Sequence, residues 1–160
     1  MTNLFDTVSN DIQSAMLAKD KVRLETLRGI KKEFIEAKTA KGATGELSDE
    51  KALKILQKMV KQRKDSAEIY QQQNRTDLAE REFDEITVIE SYLPEQISQE
   101  ELEGLLSKII VQTGVKSLKE IGKVMSIATE TLAGKAEGRL IAETVKRLMT
   151  DGLTLVRTSH

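Results

Sequence analysis

The chain has 160 residues, 39% of them hydrophobic and 32% charged, and a formal net charge of −1. That mixture excludes a disordered chain, and no apolar run approaches the ~18–20 residues of a membrane span. There is no cysteine and the sole histidine is His160, the last residue, so disulfides, thiolate chemistry, His-based triads and multi-His metal sites are all closed to it.

Apolar residues recur at three- and four-residue steps almost throughout, which predicts an all-α protein. Leu4, Val8, Ile12, Ala15 and Met16 form the first stripe. Asp20 is placed to cap a second helix carrying Leu24, Leu27, Ile30, Phe34 and Ile35 and ending near Gly42. Lys41 to Leu47 has two glycines and no stripe and reads as a loop. Ser48 then caps a long helix with Leu53, Leu56, Val60 and Ala67 on one face, and Asp49 and Glu50 suit the dipole of its first turn. A break at Gln73-Asn74-Arg75 precedes a fourth helix with Ala79, Phe83, Ile86, Ile89 and Leu93.

Pro94, the only proline, must stop that helix, because proline lacks an N–H and disfavours helical geometry in the residue before it. The stretch Tyr92 to Ile97 therefore reads as a hinge or linker. Beyond it, Ser98 with Glu101 and Ser117 with Glu120 have capping-box spacing. The helices they open carry Leu102, Leu106 and Ile109, then Ile121, Val124, Ala128 and Leu132. A last helix with Leu140, Ile141, Val145 and Leu148 is expected to end at Asp151-Gly152. The architecture is thus a four-helix lobe over residues 1–93, a three-helix lobe over 98–149, and a 150–160 tail expected to be disordered. A lobe of that smaller size buries only about 60% of its unfolded surface and is marginal alone.

Charge is laid out in blocks. Lys19 to Lys64 holds fourteen basic and seven acidic residues, Asp65 to Glu103 two and twelve, and Gly104 to Met149 eight and four. Facing helices that complement each other would explain this, and so would a bipolar surface that attracts a charged partner. Arg63 interrupts the stripe of the long helix. Either its alkyl chain packs while its head meets Glu82 or Glu85, or it joins Lys58, Lys61 and Lys64 in an anion-binding face. Those four sweep around the helix, which favours the first reading. Carboxylate pairs such as Glu80 with Asp84 lie in charge-dense helices and read as solvated faces rather than acid–base machinery.

The better candidate is the turn Leu132 to Arg139. Gly134 and Gly138 let backbone come close to a neighbour, and Lys135 and Arg139 stand at a helix start, where free N–H groups favour an anion. A purely structural role competes: Gly134 ends one helix and Gly138 lets the next pack against Gly122. Lys116, Lys119, Lys123 and Lys146 could extend Lys135 and Arg139 into a basic rim. No GxxxxGK[ST] loop is present, and no cofactor or metal is expected.

Leu27-Arg28, Lys61 to Ser66, Tyr92 to Gln96, Gly122 to Met125 and Gly134 to Arg139 resemble, in order and spacing, the GatB/YqeY family, in its stand-alone YqeY-like form. Family versions of the turn often have Asp where this chain has Glu137. The resemblance implies an all-helical protein related to the C-terminal tail of the tRNA-dependent amidotransferase B subunit, a tail that helps recognise misacylated tRNA. It also brings a label of carbon–nitrogen ligase activity with glutamine as amide donor. This chain carries neither an amidase Ser–Ser–Lys signature nor the cysteines of the kinase-like subunit. The expectation is a non-catalytic module for tRNA or another folded RNA, using Lys119, Lys123, Gly134, Lys135, Gly138, Arg139 and Lys146. Its rivals are an adaptor that docks proteins through the acidic 65–103 surface, a translation-related protein among them, and an independent amidotransferase. With neither a membrane span nor a basic-then-apolar leader, the expected location is the cytoplasm.

Overall fold

The computed structural model describes residues 3–158, with side chains up to Asp151. Every described element is helical: α1 Leu4–Ala18, α2 Lys21–Thr39, α3 Asp49–Gln72, α4 Thr76–Glu90, α5 Gln99–Thr113, a 3-10 turn Leu118–Glu120, α6 Ile121–Thr131 and α7 Gly138–Thr158. They fall into two compact units, Met1–Pro94 and Glu95–His160.

In the first unit, side chains cap the helices where short polar residues precede them. Asn3 accepts from the Asp6 N–H, Asp20 from Arg23 and Ser48 from Lys51. Asp49 serves two helices, because its Oδ1 also accepts the Leu4 N–H at 2.9 Å. Two helix junctions bend at non-glycine residues with positive φ, Lys19 between α1 and α2 and Asn74 between α3 and α4. The core is aliphatic around one aromatic ring: Val8, Leu27, Ile30, Phe34, Leu56 and Ile89 are fully buried. Leu47 tucks the end of the 40–48 loop into the same core. Buried Thr26 donates to the Val22 carbonyl, so its hydroxyl is satisfied inside its own helix.

Ile35 and Phe83, expected in the apolar stripes, are each 43% exposed. They stand at the edge of their stripes, about a quarter turn or more from the buried centre of their helices. Arg63 takes the packed position: its Nη1 donates to the Met59 carbonyl at 3.2 Å and its Nε lies 3.4 Å from Glu85 Oε2. Burial and the nearby Glu85 charge raise the pKa of Glu82 above the ordinary carboxylate range.

The second unit packs α5, α6 and α7 around Leu102, Leu106, Val124, Ala128, Leu132, Ile141 and Val145. Ser98 caps α5 through the Glu101 N–H, and Gly114 closes it in left-handed geometry at φ +66. The Ser117–Glu120 pair does not form a capping box. Ser117 makes no side-chain cap, and Glu120 instead accepts from the Lys116 N–H at 3.0 Å, so a 3-10 turn precedes α6. The expected stop at Asp151-Gly152 also fails. The α7 backbone stays helical through both residues to Thr158. A glycine inside a helix costs only about 1 kcal/mol, which is too little to break one by itself. Ser159 and His160 lie outside the described residues.

Candidate functional site

The turn between α6 and α7 is fastened from inside. Leu132 and Ala136 bury their side chains in the core of the second unit. Gly134 between them has φ +77, a conformation that L side chains rarely adopt. The Lys135 N–H closes the turn on the Leu132 carbonyl at 2.8 Å. Two turn carbonyls are then consumed by the segment that follows Pro94: Gly134 O accepts from Gln96 Nε2 at 2.7 Å, and Lys135 O from the Ile97 N–H at 3.0 Å.

The consequence is electrostatic. Carbonyl oxygens that would repel an anion are occupied, while the Lys135 side chain projects outside. Immediately afterwards α7 begins, with the Ile141 N–H donating to the Glu137 carbonyl at 3.0 Å. That leaves the N–H groups of Gly138, Arg139 and Leu140 at the positive end of a 21-residue helix. Arg139 lies there, 79% exposed, with its Nε 3.1 Å from Glu143 Oε1. An exposed pair of this kind is worth only a few tenths of a kcal/mol, so an incoming anion displaces it at little cost.

Of the seven candidate residues, Gly134, Lys135, Gly138 and Arg139 are brought together. Lys146 follows Arg139 by seven residues, on nearly the same side of α7 and about 10 Å along its axis. Lys123 is exposed on α6, nine residues before Leu132 and so about 13 Å back from the turn. Lys119, also exposed, belongs to the 3-10 turn before it. The rim is a chain of separate charges rather than one cluster. The proposed close approach of Gly138 to Gly122 is absent, for a Cβ built on either meets nothing within 4 Å. Both glycines face open space.

Two anchors were not anticipated. Gln96 and Ile97 read as linker, yet they hold the turn. Tyr92, on the other side of Pro94, donates to Asp11 Oδ2 at 2.5 Å and fastens the end of the first unit to α1. Burial, reinforced by the Asp11 acceptor and opposed by Arg23, raises the Tyr92 pKa well above its ordinary value. The Tyr92 to Ile97 stretch is therefore tied down at each end within its own unit. Only the pattern of polar residues around a proline hinted at this.

Among the described residues, no group of three or more acidic or imidazole side chains is placed to hold a metal ion. Glu80 and Asp84 are exposed, and Glu85 is engaged by Arg63. A polar cavity of about 460 Å³ lies in the first unit beside Asn3, Lys38, Glu46, Ser48 and Lys51, with Lys38 Nζ 3.9 Å from the centroid of the Phe5 ring. The Ser48 hydroxyl at its edge is engaged as a helix cap, accepting the Lys51 N–H at 3.2 Å. No described helix is long and apolar enough to cross a membrane.

Comparison with known proteins supplies the family. The sequence model described as Yqey-like protein matches residues 5–149. Among curated relatives, a protein of Lachancea thermotolerans named "Altered inheritance of mitochondria protein 41, mitochondrial" is 38% identical over 117 residues, covering 67% of this chain and 59% of that protein. Its namesake in Vanderwaltozyma polyspora is 31% identical over 150 residues, covering 86% of this chain and 77% of the relative. The namesake in Clavispora lusitaniae is 39% identical over 90 residues, covering 56% and 51%. This chain thus spans between about half and three quarters of the length of these relatives. Their names place them in mitochondria and overturn the expected cytoplasmic location. That expectation rested on a missing span and leader pattern, and an organelle interior is as aqueous as the cytoplasm. With the family pattern running through both units, the chain belongs to the Yqey-like protein family.

Proposed function

We propose that this protein is a non-catalytic module that binds folded RNA, with tRNA the first ligand to test. The observation that carries this reading is the α6–α7 turn, where carbonyls are drawn into hydrogen bonds with Gln96 and Ile97 and Lys135 stands beside the open start of α7. Phosphate is the anion that such a site suits, and backbone contacts of this kind give affinity with little sequence reading. With aromatics at only 3% of the chain, stacking on single-stranded bases has few partners, so a shaped RNA is the better fit. The resemblance to the amidotransferase tail supports the same ligand. The carbon–nitrogen ligase label is read as belonging to the larger enzyme. The relatives' names speak of mitochondrial inheritance and not of RNA.

The test is filter binding of tRNA against an unstructured RNA at two salt concentrations. The expected result is preferential, salt-sensitive binding of tRNA that weakens in Lys135→Ala/Arg139→Ala. Binding indifferent to salt or to that double change would remove the site.

A second reading rests on α4. Glu80, Asp84 and Glu90 are exposed there without ion-pair partners among the described residues, and Phe83 stands beside them. An adaptor docking a basic protein through this acidic face would keep its partner after nuclease treatment and lose it in Phe83→Ala.

A further inference from the structure

The fold neutralises its cations unevenly. On α3, Lys54 pairs with Glu50 and Lys61 with Asp65. On α7, Arg147 pairs with Glu103, whose carboxyl it holds below the ordinary range. The outward face of α2 is different. Lys21, Arg28 and Lys32 are all exposed, and among the described residues none has an ion-pair partner. At 3.6 residues per turn they fall within about 40° of one another, spaced about 10 and 6 Å along the axis. Glu25, the acid nearest that line, is taken by Arg81 of α4 at 2.5 Å. Lys31 and Lys38 flank the row, each over the Phe5 ring. Two carboxylates without an ion pair among the described residues, Glu33 and Glu36, lie on the other flank.

This row borders an apolar depression of about 260 Å³ at the exposed Ile35, walled by Arg28, Lys31, Lys32 and the carboxylate of Glu36. The helix beneath is held rigidly, because Leu27, Ile30 and Phe34 are fully buried. We infer that the outward face of α2 is a second RNA-contacting surface: Lys21, Arg28 and Lys32 meet successive phosphates of one strand, and Ile35 seats the sugar edge between them. From Lys21 to Lys32 the row spans about 16 Å along the axis, too far for all three cations to meet on one small anion, so the ligand must be extended. A membrane surface fits poorly, since the apolar side of α2 is spent on the core and Ile35 alone is left to insert. Arg28 adds a planar fork suited to phosphate oxygens.

The inference rests on RNA being the ligand, and its test separates the two surfaces. Binding of total tRNA to the full chain is measured at about 50 and 200 mM salt, for the wild type, for Lys21→Gln/Arg28→Gln/Lys32→Gln and for Lys135→Ala/Arg139→Ala. The α2 variant is expected to bind at least tenfold more weakly at the lower salt. The slope of log affinity against log salt should fall by about 2, as three lost phosphate contacts require. Circular dichroism checks that its helices persist. An α2 variant with wild-type affinity and slope overturns this inference while leaving the turn as the site. A weakened α2 variant beside an unaffected turn variant upholds it and removes the turn. Absence of tRNA binding by the wild type overturns both. Competition by poly-L-glutamate as strong as by tRNA would reassign the face to acidic polypeptides and overturn it too.

Discussion

Glycine by glycine, this chain separates backbone need from vacancy. Gly134 sits at φ +77, so Gly134→Ala should cost about 1–2 kcal/mol in urea unfolding, the penalty for forcing an L side chain into left-handed geometry. Gly122 and Gly138 have open space where a Cβ would go and no positive φ, so alanine at either should stabilise by about 0.5–1 kcal/mol. If RNA passes close to Gly138, the same alanine that raises stability will weaken tRNA binding, a split that packing alone cannot produce. Tyr92 offers a pH test. Its pKa is raised on folding, so its contribution is complete below the ordinary tyrosine pKa of about 10 and is lost as pH climbs past it. Tyr92→Phe should cost about 1–2 kcal/mol at neutral pH through the lost bond to Asp11. In alkaline melts the gap between wild type and variant should close above pH ~10, and a constant gap would assign the effect to packing instead.

For the helices, the caps are the readable part. Ser48 and Ser98 each accept the N–H of the third residue on, so Ser48→Ala and Ser98→Ala should each cost about 1 kcal/mol in thermal or urea unfolding. Ser117→Ala should cost almost nothing by the same measurement, because the hydroxyl caps no helix. Glu137 precedes α7 where a shorter acid would reach the first N–H groups, so Glu137→Asp should raise the melting temperature slightly. The contrast between Ser98 and Ser117 shows where pattern reading stops. Both have Glu three residues on, but Glu120 is drawn to the Lys116 N–H, a choice made by the path of the preceding loop. A sequence window cannot hold that path.

At the scale of the whole molecule, each unit encloses its own aliphatic core and leaves much of its charge on helix faces. The core around Phe34 closes within residues 4–93, so a fragment of residues 1–94 should remain helical and melt cooperatively by circular dichroism. Opposite charges are likewise segregated by helix: α2 turns lysines and an arginine outward, while α4 shows Glu80, Asp84 and Glu90. The +7 and −10 blocks of the chain are therefore real surfaces in part: Arg63 with Glu85 spends some of that charge between neighbouring helices, whereas Arg81 with Glu25 ties up only the minority sign of each block.

Hydrophobic periodicity, the caps at Asp20, Ser48 and Ser98, and the break at Pro94 were enough to specify an all-helical chain, since these depend on residues within a turn or two of each other. The missing cysteines and the single histidine likewise left thiolate chemistry and multi-His metal sites out of this sequence without any coordinates. Tertiary structure decided what depends on distant partners. It determined that the Gly134 turn is held by Gln96 and Ile97, that Gly122 and Gly138 face open space, that Arg63 meets Glu85 rather than Glu82, and that Arg28 and Lys32 form no ion pair among the described residues. Periodicity records which side of a helix is apolar. Only packing determines which helix lies against that side, and therefore which charges are cancelled and which are left for a ligand.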